Sequence, residues 1–199
     1  MVFGCSHKTH VFFGILGMDK RPVSLISQMR EKVKERYSYC LHKGHGMLRF
    51  GDDIPQVTKD YKTTKLLNPL HPSVYVGLTD ISVVGKRLGL SAGTISNRSE
   101  CLLIDTGVQF TILQSYTYDK VIKAFKGYYG DRLKQVKMPG WGLCYRHNSS
   151  MRSNASMTFH LEGGDYMTND MFVDPIIGIM CLALVSNNYV DTRSHASSQ

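Results

Sequence analysis

The stretch Leu102 to Leu113, LLIDTGVQFTIL, constrains this chain more than any other. Three apolar residues lead into Asp105-Thr106-Gly107, and a second apolar run follows. The pattern predicts a buried strand that ends in a tight loop and re-enters a strand. A carboxylate at that point is costly unless it is hydrogen-bonded or has a chemical task. Gly107 would let backbone amides approach the carboxylate closely. A polar turn between two strands is the plain alternative for a bare D-T-G tripeptide. The apolar flanks shift the reading toward a functional Asp.

The chain has 199 residues, enough for one large domain or two small ones. Its 42% hydrophobic and 20% charged residues are ordinary for a globular protein. The formal charge is +8, but outside Arg30 to Arg36 the basic residues read as scattered. A solvated basic surface is therefore expected rather than a nucleic-acid face, which needs clustered Lys and Arg with aromatic residues. Residues 1–17 are apolar but lack a charged start and a small-residue cleavage site, so no signal peptide is expected. The longest apolar run, Ile176 to Val185, is too short to span a bilayer, so no membrane partner is expected. The five cysteines, Cys5, Cys40, Cys101, Cys144 and Cys181, form no C-x-x-C pair, and an odd count leaves at least one thiol free or intermolecular. His7 and His10 are three apart, but no metal-ligand set is completed around them, so neither a metal nor any other cofactor is expected.

Along the chain, residues 1–17 read as two short strands with a turn at Lys8 to His10. Leu25, Ile26, Met29 and Val33 recur at helical spacing and predict a helix from about Pro22 to Arg36. Tyr37 to Leu41 and Met47 to Phe50 read as strands around the loop His42 to Gly46. Residues 52–72, with Pro55, Pro69 and Pro72, read as a linker. Val74 to Leu78 and Ile81 to Val84 suggest a hairpin around Thr79 and Asp80. Gly89 to Glu100 reads as a polar loop. Thr117 to Tyr129 reads as a helix with Tyr118, Val121, Ile122 and Phe125 on one face, ended by Gly127 and Gly130. Strands follow at Leu143 to Arg146, Met157 to Leu161, Tyr166 to Met167, Met171 to Val173 and Ile176 to Val185, with a hairpin signal at Gly163-Gly164. The fold class is mostly β, with two short helices.

LLIDTGVQFTIL resembles the second catalytic motif of pepsin-like aspartic proteases, in particular the plant nepenthesin-like group. The segments FGCSHKT, GILGMDKRPVSLISQ, YSYCL, MLRFGDD, VYVGLTDISVVGKRL, LCY, MTFHLEGGDYM and CLALV follow in matching order and cover most of residues 2–185. The resemblance implies an incomplete pepsin-like acid-protease fold. Residues 1–51 would be the end of an amino-terminal lobe, 52–72 a linker, and 73–199 most of a carboxy-terminal, xylanase-inhibitor-type lobe. It implies that Asp105 is the second Asp of a catalytic dyad, and that Thr106 and Gly107 complete its loop. The first Asp and the flap Tyr would lie upstream of residue 1, and the strands after the CLALV segment have no counterpart here. Relatives carry Ser or Thr where this chain has Val108, and Gly where it has Val84.

The same resemblance implies a disulfide between Cys144 and Cys181 and absent partners for Cys5 and Cys40, and gives Cys101 no counterpart. N-x-Ser sequons at Asn97, Asn148 and Asn154 are glycosylation candidates that fit a secretory ancestry. The implied location is secreted, extracellular or vacuolar, while the expected lack of a leader leaves the compartment open. Among the other Asp residues, Asp52, Asp53, Asp80 and Asp191 read as solvated loop residues. The implied activity is peptide-bond hydrolysis of a peptide or protein substrate by a two-Asp, water-mediated mechanism. A chain that supplies one such Asp is expected to be inactive alone. The alternative is a non-catalytic binding protein on the same scaffold, like the xylanase inhibitors, with a glycoside hydrolase as partner. An active homodimer built from two copies of Asp105, as in retroviral proteases, would need a flap in each subunit and a self-complementary interface.

Overall fold

The computed structural model describes residues 2, 4, 14–42, 45–56, 61–67, 73–90, 101–108, 110–147 and 155–188. The chain divides into two compact units, Met1–Tyr61 with Asn68–Tyr75, and Lys62–Leu67 with Val76–Gln199. Strands dominate and helices are few, which makes the protein mostly β.

In the first unit Ser24 caps α1 (Leu25–Gln28), its hydroxyl accepting the Ser27 amide at 3.2 Å. A second turn, α2 (Arg30–Val33), follows. The expected single helix over Pro22 to Arg36 is thus two separate turns. Met29 departs from helical geometry at φ −103° and ψ 13°, and Lys34 and Glu35 turn left-handed at φ 51° and 53°. The apolar spacing still works, because Ile26 and Val33 are both buried. Strands β1 (Tyr37–His42) and β2 (His45–Phe50) form an antiparallel ribbon, with Tyr37 opposite Phe50. Asp52 is solvated, and a hydrogen bond from Lys34 Nζ at 2.7 Å holds its carboxyl below the ordinary range. Most of the strand pair expected in residues 1–17 lies outside the described residues, and 14–17 are irregular.

The second unit is built on β4 (Tyr75–Val83). Its sheet runs in the order β11, β10, β4, β3, where β3 is Leu66–Leu67, β10 Met157–Leu161 and β11 Gly164–Thr168. The short strands β5 (Lys86–Arg87) and β6 (Cys101–Leu103) also pair with β4. The hairpin expected at Thr79 and Asp80 is not formed, because β4 runs straight through. Opposite β10, His160 pairs with Asp80 and Leu161 with Leu78, which leaves Thr79 as the extra residue of a β-bulge. The bulge shifts the alternation by one, so Leu78 and then Ile81 and Val83 all reach the core. Nor is Asp80 a solvated turn residue. It is 6% exposed, and its Oδ1 accepts the amides of Ile81 at 2.8 Å and Leu90 at 3.1 Å. Asp191 and most of the loop expected over Gly89 to Glu100 lie outside the described residues.

Between β4 and β5 the loop is two residues long, with Val83 opposite Lys86. Val84 at φ 48° and Gly85 at φ 74° make it a turn with both central residues left-handed. A β-branched residue is strained there, whereas Asn tolerates the conformation and forms the favoured Asn-Gly pair. Val84→Asn is therefore expected to stabilise the unit by about 1 kcal/mol, read from the urea midpoint, with the loss of half-buried Val84 methyls as the opposing effect. A destabilised variant would mean that those methyls outweigh the strain.

Helix α3 (Ser115–Tyr129) buries Thr117, Val121, Phe125 and Tyr129, one residue per turn, with Tyr118 and Ile122 on the rim of that stripe. It passes through Gly127 and ends at Gly130, which turns left-handed at φ 47°. Against it lies a second sheet in the order β12 (Phe172–Ile176), β13 (Ile179–Leu182), β9 (Cys144–Arg146) and β8 (Gln135–Val136). The strand expected over Ile176 to Val185 is broken by the Ile177-Gly178 turn and again at Ala183. The final piece, β14 (Leu184–Ser186), pairs in parallel with β7 (Thr111–Leu113). The hairpin at Gly163-Gly164 is present, with Leu161 opposite Gly164. Among the described residues no helix is long and apolar enough to cross a membrane.

Candidate functional site around Asp105

The D-T-G loop lies between β6 and β7. Asp105 Oδ1 accepts the Gly107 amide at 2.8 Å, which closes a small ring of carboxylate and backbone. Gly107 has a steric task here. A Cβ at that position would stand 3.1 Å from Asp105 Oδ1, tighter than ordinary contact, so a larger residue would press the carboxylate aside by a few tenths of an ångström.

The expected burial of this stretch does not hold. Leu102 packs on the core before the loop and Leu113 is buried after it, but Leu103, Ile104 and Ile112 are exposed. Asp105, Thr106 and Gly107 are exposed with them. Alternation turns Leu102 of β6 and Thr111 and Leu113 of β7 inward, and sends Leu103 and Ile112 outward. Val108 is 47% exposed and offers no hydroxyl to the carboxylate. Water, the Gly107 amide and an incoming group can all reach the Asp105 oxygens. A lone hydrated carboxylate can act as a base or orient a water, but proton donation to a leaving group needs a second acid.

Cys144 and Cys181 face each other directly across β9 and β13 and are disulfide-bonded, with Cα atoms 4.1 Å apart. Cys40 on β1 is an exposed free thiol. Cys5 and the sequons at Asn97, Asn148 and Asn154 lie outside the described residues, and so does the side chain of Cys101. Among the described residues no group of three His, Cys, Asp or Glu side chains is placed to hold a metal ion.

Sequence reasoning missed a polar network on the face of β4 opposite the core. Ser82 Oγ and His160 Nε2 are 2.7 Å apart, and His160 Nδ1 and Asp165 Oδ1 are 2.9 Å apart. The arrangement has the order of a nucleophile, a base and a carboxylate. However, Ser82 is 3% exposed in the middle of a paired strand, so it ties β4, β10 and β11 together rather than meeting a substrate. The available signal was the even-numbered polar series Asp80, Ser82, Thr158 and His160 flanking odd-numbered apolar residues.

Residues 74–198 match the family described as Xylanase inhibitor C-terminal, and residues 1–52 match Xylanase inhibitor N-terminal. The chain belongs to this xylanase-inhibitor-type branch of the pepsin-like aspartic protease family. Among curated relatives, an aspartic proteinase of Arabidopsis thaliana is 25% identical over 198 residues, covering 92% of this chain and 45% of that protein. A probable aspartic protease of the same plant is 28% identical over 218 residues, covering 95% of this chain and 48% of its own length. The chain thus spans about half the length of the curated relatives it matches. Among solved structures, basic 7S globulin from soybean superposes with a TM-score of 0.68 at 21% identity, over 87% of this chain and 49% of that one. That likeness establishes the pepsin-like fold. The relatives on this scaffold are named both as proteases and as a globulin.

Proposed function

We propose that these 199 residues carry one half of an aspartic-peptidase centre, with Asp105 as its carboxylate, and that they do not hydrolyse peptides by themselves. The observation that carries this reading is the D-T-G loop itself. Asp105 is exposed, is held by the Gly107 amide, and stands in the only D-T-G of the sequence. Aspartic proteolysis uses two carboxylates across one water. One takes the water's proton as it attacks the carbonyl, and the other protonates the leaving amine. Asp105 supplies one of the two, so the second carboxylate must come from residues other than these. The implied substrate is a peptide or protein. The Cys144–Cys181 disulfide supports a secreted or vacuolar setting, where thiols oxidise.

Val108 supports a second reading, in which the scaffold binds a protein partner of the glycoside-hydrolase class without catalysis. A hydroxyl at that position would donate to the carboxylate and favour its ionised form, and Val cannot.

The test is the purified 199-residue chain on a denatured protein substrate across acidic pH. We expect no cleavage that pepstatin inhibits. Cleavage that pepstatin blocks and Asp105→Ala abolishes would overturn the half-centre reading in favour of a homodimeric dyad. Saturable binding to a xylanase, at micromolar affinity or better and insensitive to Asp105→Ala, would establish the second reading instead.

A further inference from the structure

The second unit carries an open cavity of about 190 Å³ beside β14. Its lining includes Tyr118 from α3, Trp141 and Gly142 from the segment before β9, and Leu184, Val185 and Ser186 from β14. Three separate segments thus converge on it, and each is fixed by its own contacts. The Trp141 indole is set edge-to-face against Phe110, with ring centroids 5.4 Å apart. Ser186 is held by a hydroxyl contact with Ser115 at 3.1 Å. Gly142 is a steric necessity, because any Cβ there would overlap the Tyr118 hydroxyl.

Size limits what can enter. An apolar cavity of about 150 Å³ is enough to hold benzene, whereas drug-sized ligands need roughly 300 Å³ or more. At about 190 Å³ this cavity takes a single ring with a small substituent. Chemistry limits it further. No charged side chain lines the cavity, so an ionised ligand would be desolvated without a counter-charge. Trp141, Leu184 and Val185 offer an aromatic and an aliphatic wall. The Tyr118 phenol stays protonated, since burial pushes its pKa above the ordinary value, and it donates to no group among the described residues. A half-buried hydroxyl with no acceptor among the described residues favours a ligand that brings one.

We propose that this cavity is a binding site for a neutral, single-ring aromatic alcohol or phenol. The ring lies between Trp141 and the Leu184-Val185 wall, and the ligand oxygen accepts the Tyr118 hydroxyl. The site is independent of Asp105 and of the peptidase reading, because none of its walls belongs to the D-T-G loop.

Trp141 is the only tryptophan of the chain, so its emission reports this cavity directly. The intact chain would be titrated with benzyl alcohol, toluene, cyclohexylmethanol and N-acetyltyrosinamide. A saturable change is expected for benzyl alcohol with a Kd of roughly 1 mM, the range set by so few ligand atoms. Toluene is expected to bind about three- to tenfold more weakly, because it lacks the acceptor. Tyr118→Phe should erase the difference between the two, and Val185→Phe should abolish the change by filling the space. Helical circular dichroism of both variants separates a lost site from a lost fold, and Tyr118→Phe preserves the shape of the wall in any case. Unsaturable changes for every probe would overturn the proposal. So would equal affinity for toluene and benzyl alcohol in the unmodified chain, or cyclohexylmethanol binding as well as benzyl alcohol. N-acetyltyrosinamide binding more tightly than benzyl alcohol would assign the cavity to a peptide side chain and would also overturn it.

Discussion

Phe125→Ala is expected to destabilise the second unit by about 3–5 kcal/mol, the usual range for emptying a buried aromatic site. Phe125 is 0% exposed on the inward stripe of α3. Its ring meets Phe172 edge-on, with centroids 5.3 Å apart and planes at 89°. Phe172 in turn meets Tyr129, which packs on Tyr145, so four rings from α3, β9 and β12 share one contact zone. Removing the Phe125 ring deletes the edge-on contact with Phe172 and leaves unfilled space in the core. Phe172 cannot follow into the space, because its strand pairs opposite Leu182. Urea unfolding followed by far-ultraviolet circular dichroism measures the loss as a lower midpoint at unchanged slope. Phe125→Leu keeps most of the volume and should cost less than half as much. A loss below about 1 kcal/mol for the alanine variant would mean that α3 does not pack as described.

Helix α3 was legible because its apolar residues repeat at helical spacing over fifteen positions, long enough for the period to be unambiguous. Strand existence in residues 143–186 was legible for the same reason at period two. What failed was punctuation. Thr79-Asp80 has turn chemistry, but the carboxylate of Asp80 satisfies the amides of Ile81 and Leu90 inside a bulged strand. Bulges and turns recruit the same residue types, so sequence alone cannot separate them when strands lie on both sides. Likewise, helical spacing over Leu25, Ile26, Met29 and Val33 survived while the backbone broke at Met29, because spacing constrains side-chain direction more than continuity.

The D-T-G loop could be found from the sequence, and its exposure could not. Apolar flanks show that a segment avoids water, but they do not show whether its own unit supplies the cover. The hydrogen bond from the Gly107 amide followed from local spacing and was predictable in kind. The ring-sized cavity was invisible, since residues 118, 141–142 and 184–186 carry no joint pattern until β14 is laid beside β7. The even-numbered polar series marked the residues around Ser82 and His160, but not that they meet Asp165. The three meet through strand register, and that register includes the bulge at Thr79.

Loss of the Cys144–Cys181 bond should be the other large effect. The bond closes a separation of 37 residues, and the chain-entropy relation assigns such a loop about 4 kcal/mol. It staples β9 to β13 at a directly opposed pair, inside a core where both cysteines are buried. The joined strands carry Tyr145, Met180 and Leu182 to the α3 side, so the staple and the aromatic zone support the same sheet. Reduction of the unmodified chain changes the linkage while leaving side-chain volume nearly intact, and the Cys144→Ala/Cys181→Ala double variant removes both. Reduction alone is expected to lower the thermal midpoint by about ten degrees, and the double variant should fall somewhat further because it also empties buried volume. Cys144→Ala alone should match reduction to within the cost of one lost sulfur, since either change opens the loop. The idea fails if reduction shifts the midpoint by less than about two degrees while thiol labelling shows that both sulfurs are free. In that case the strand pairing and the apolar packing hold β9 and β13 together without the covalent link.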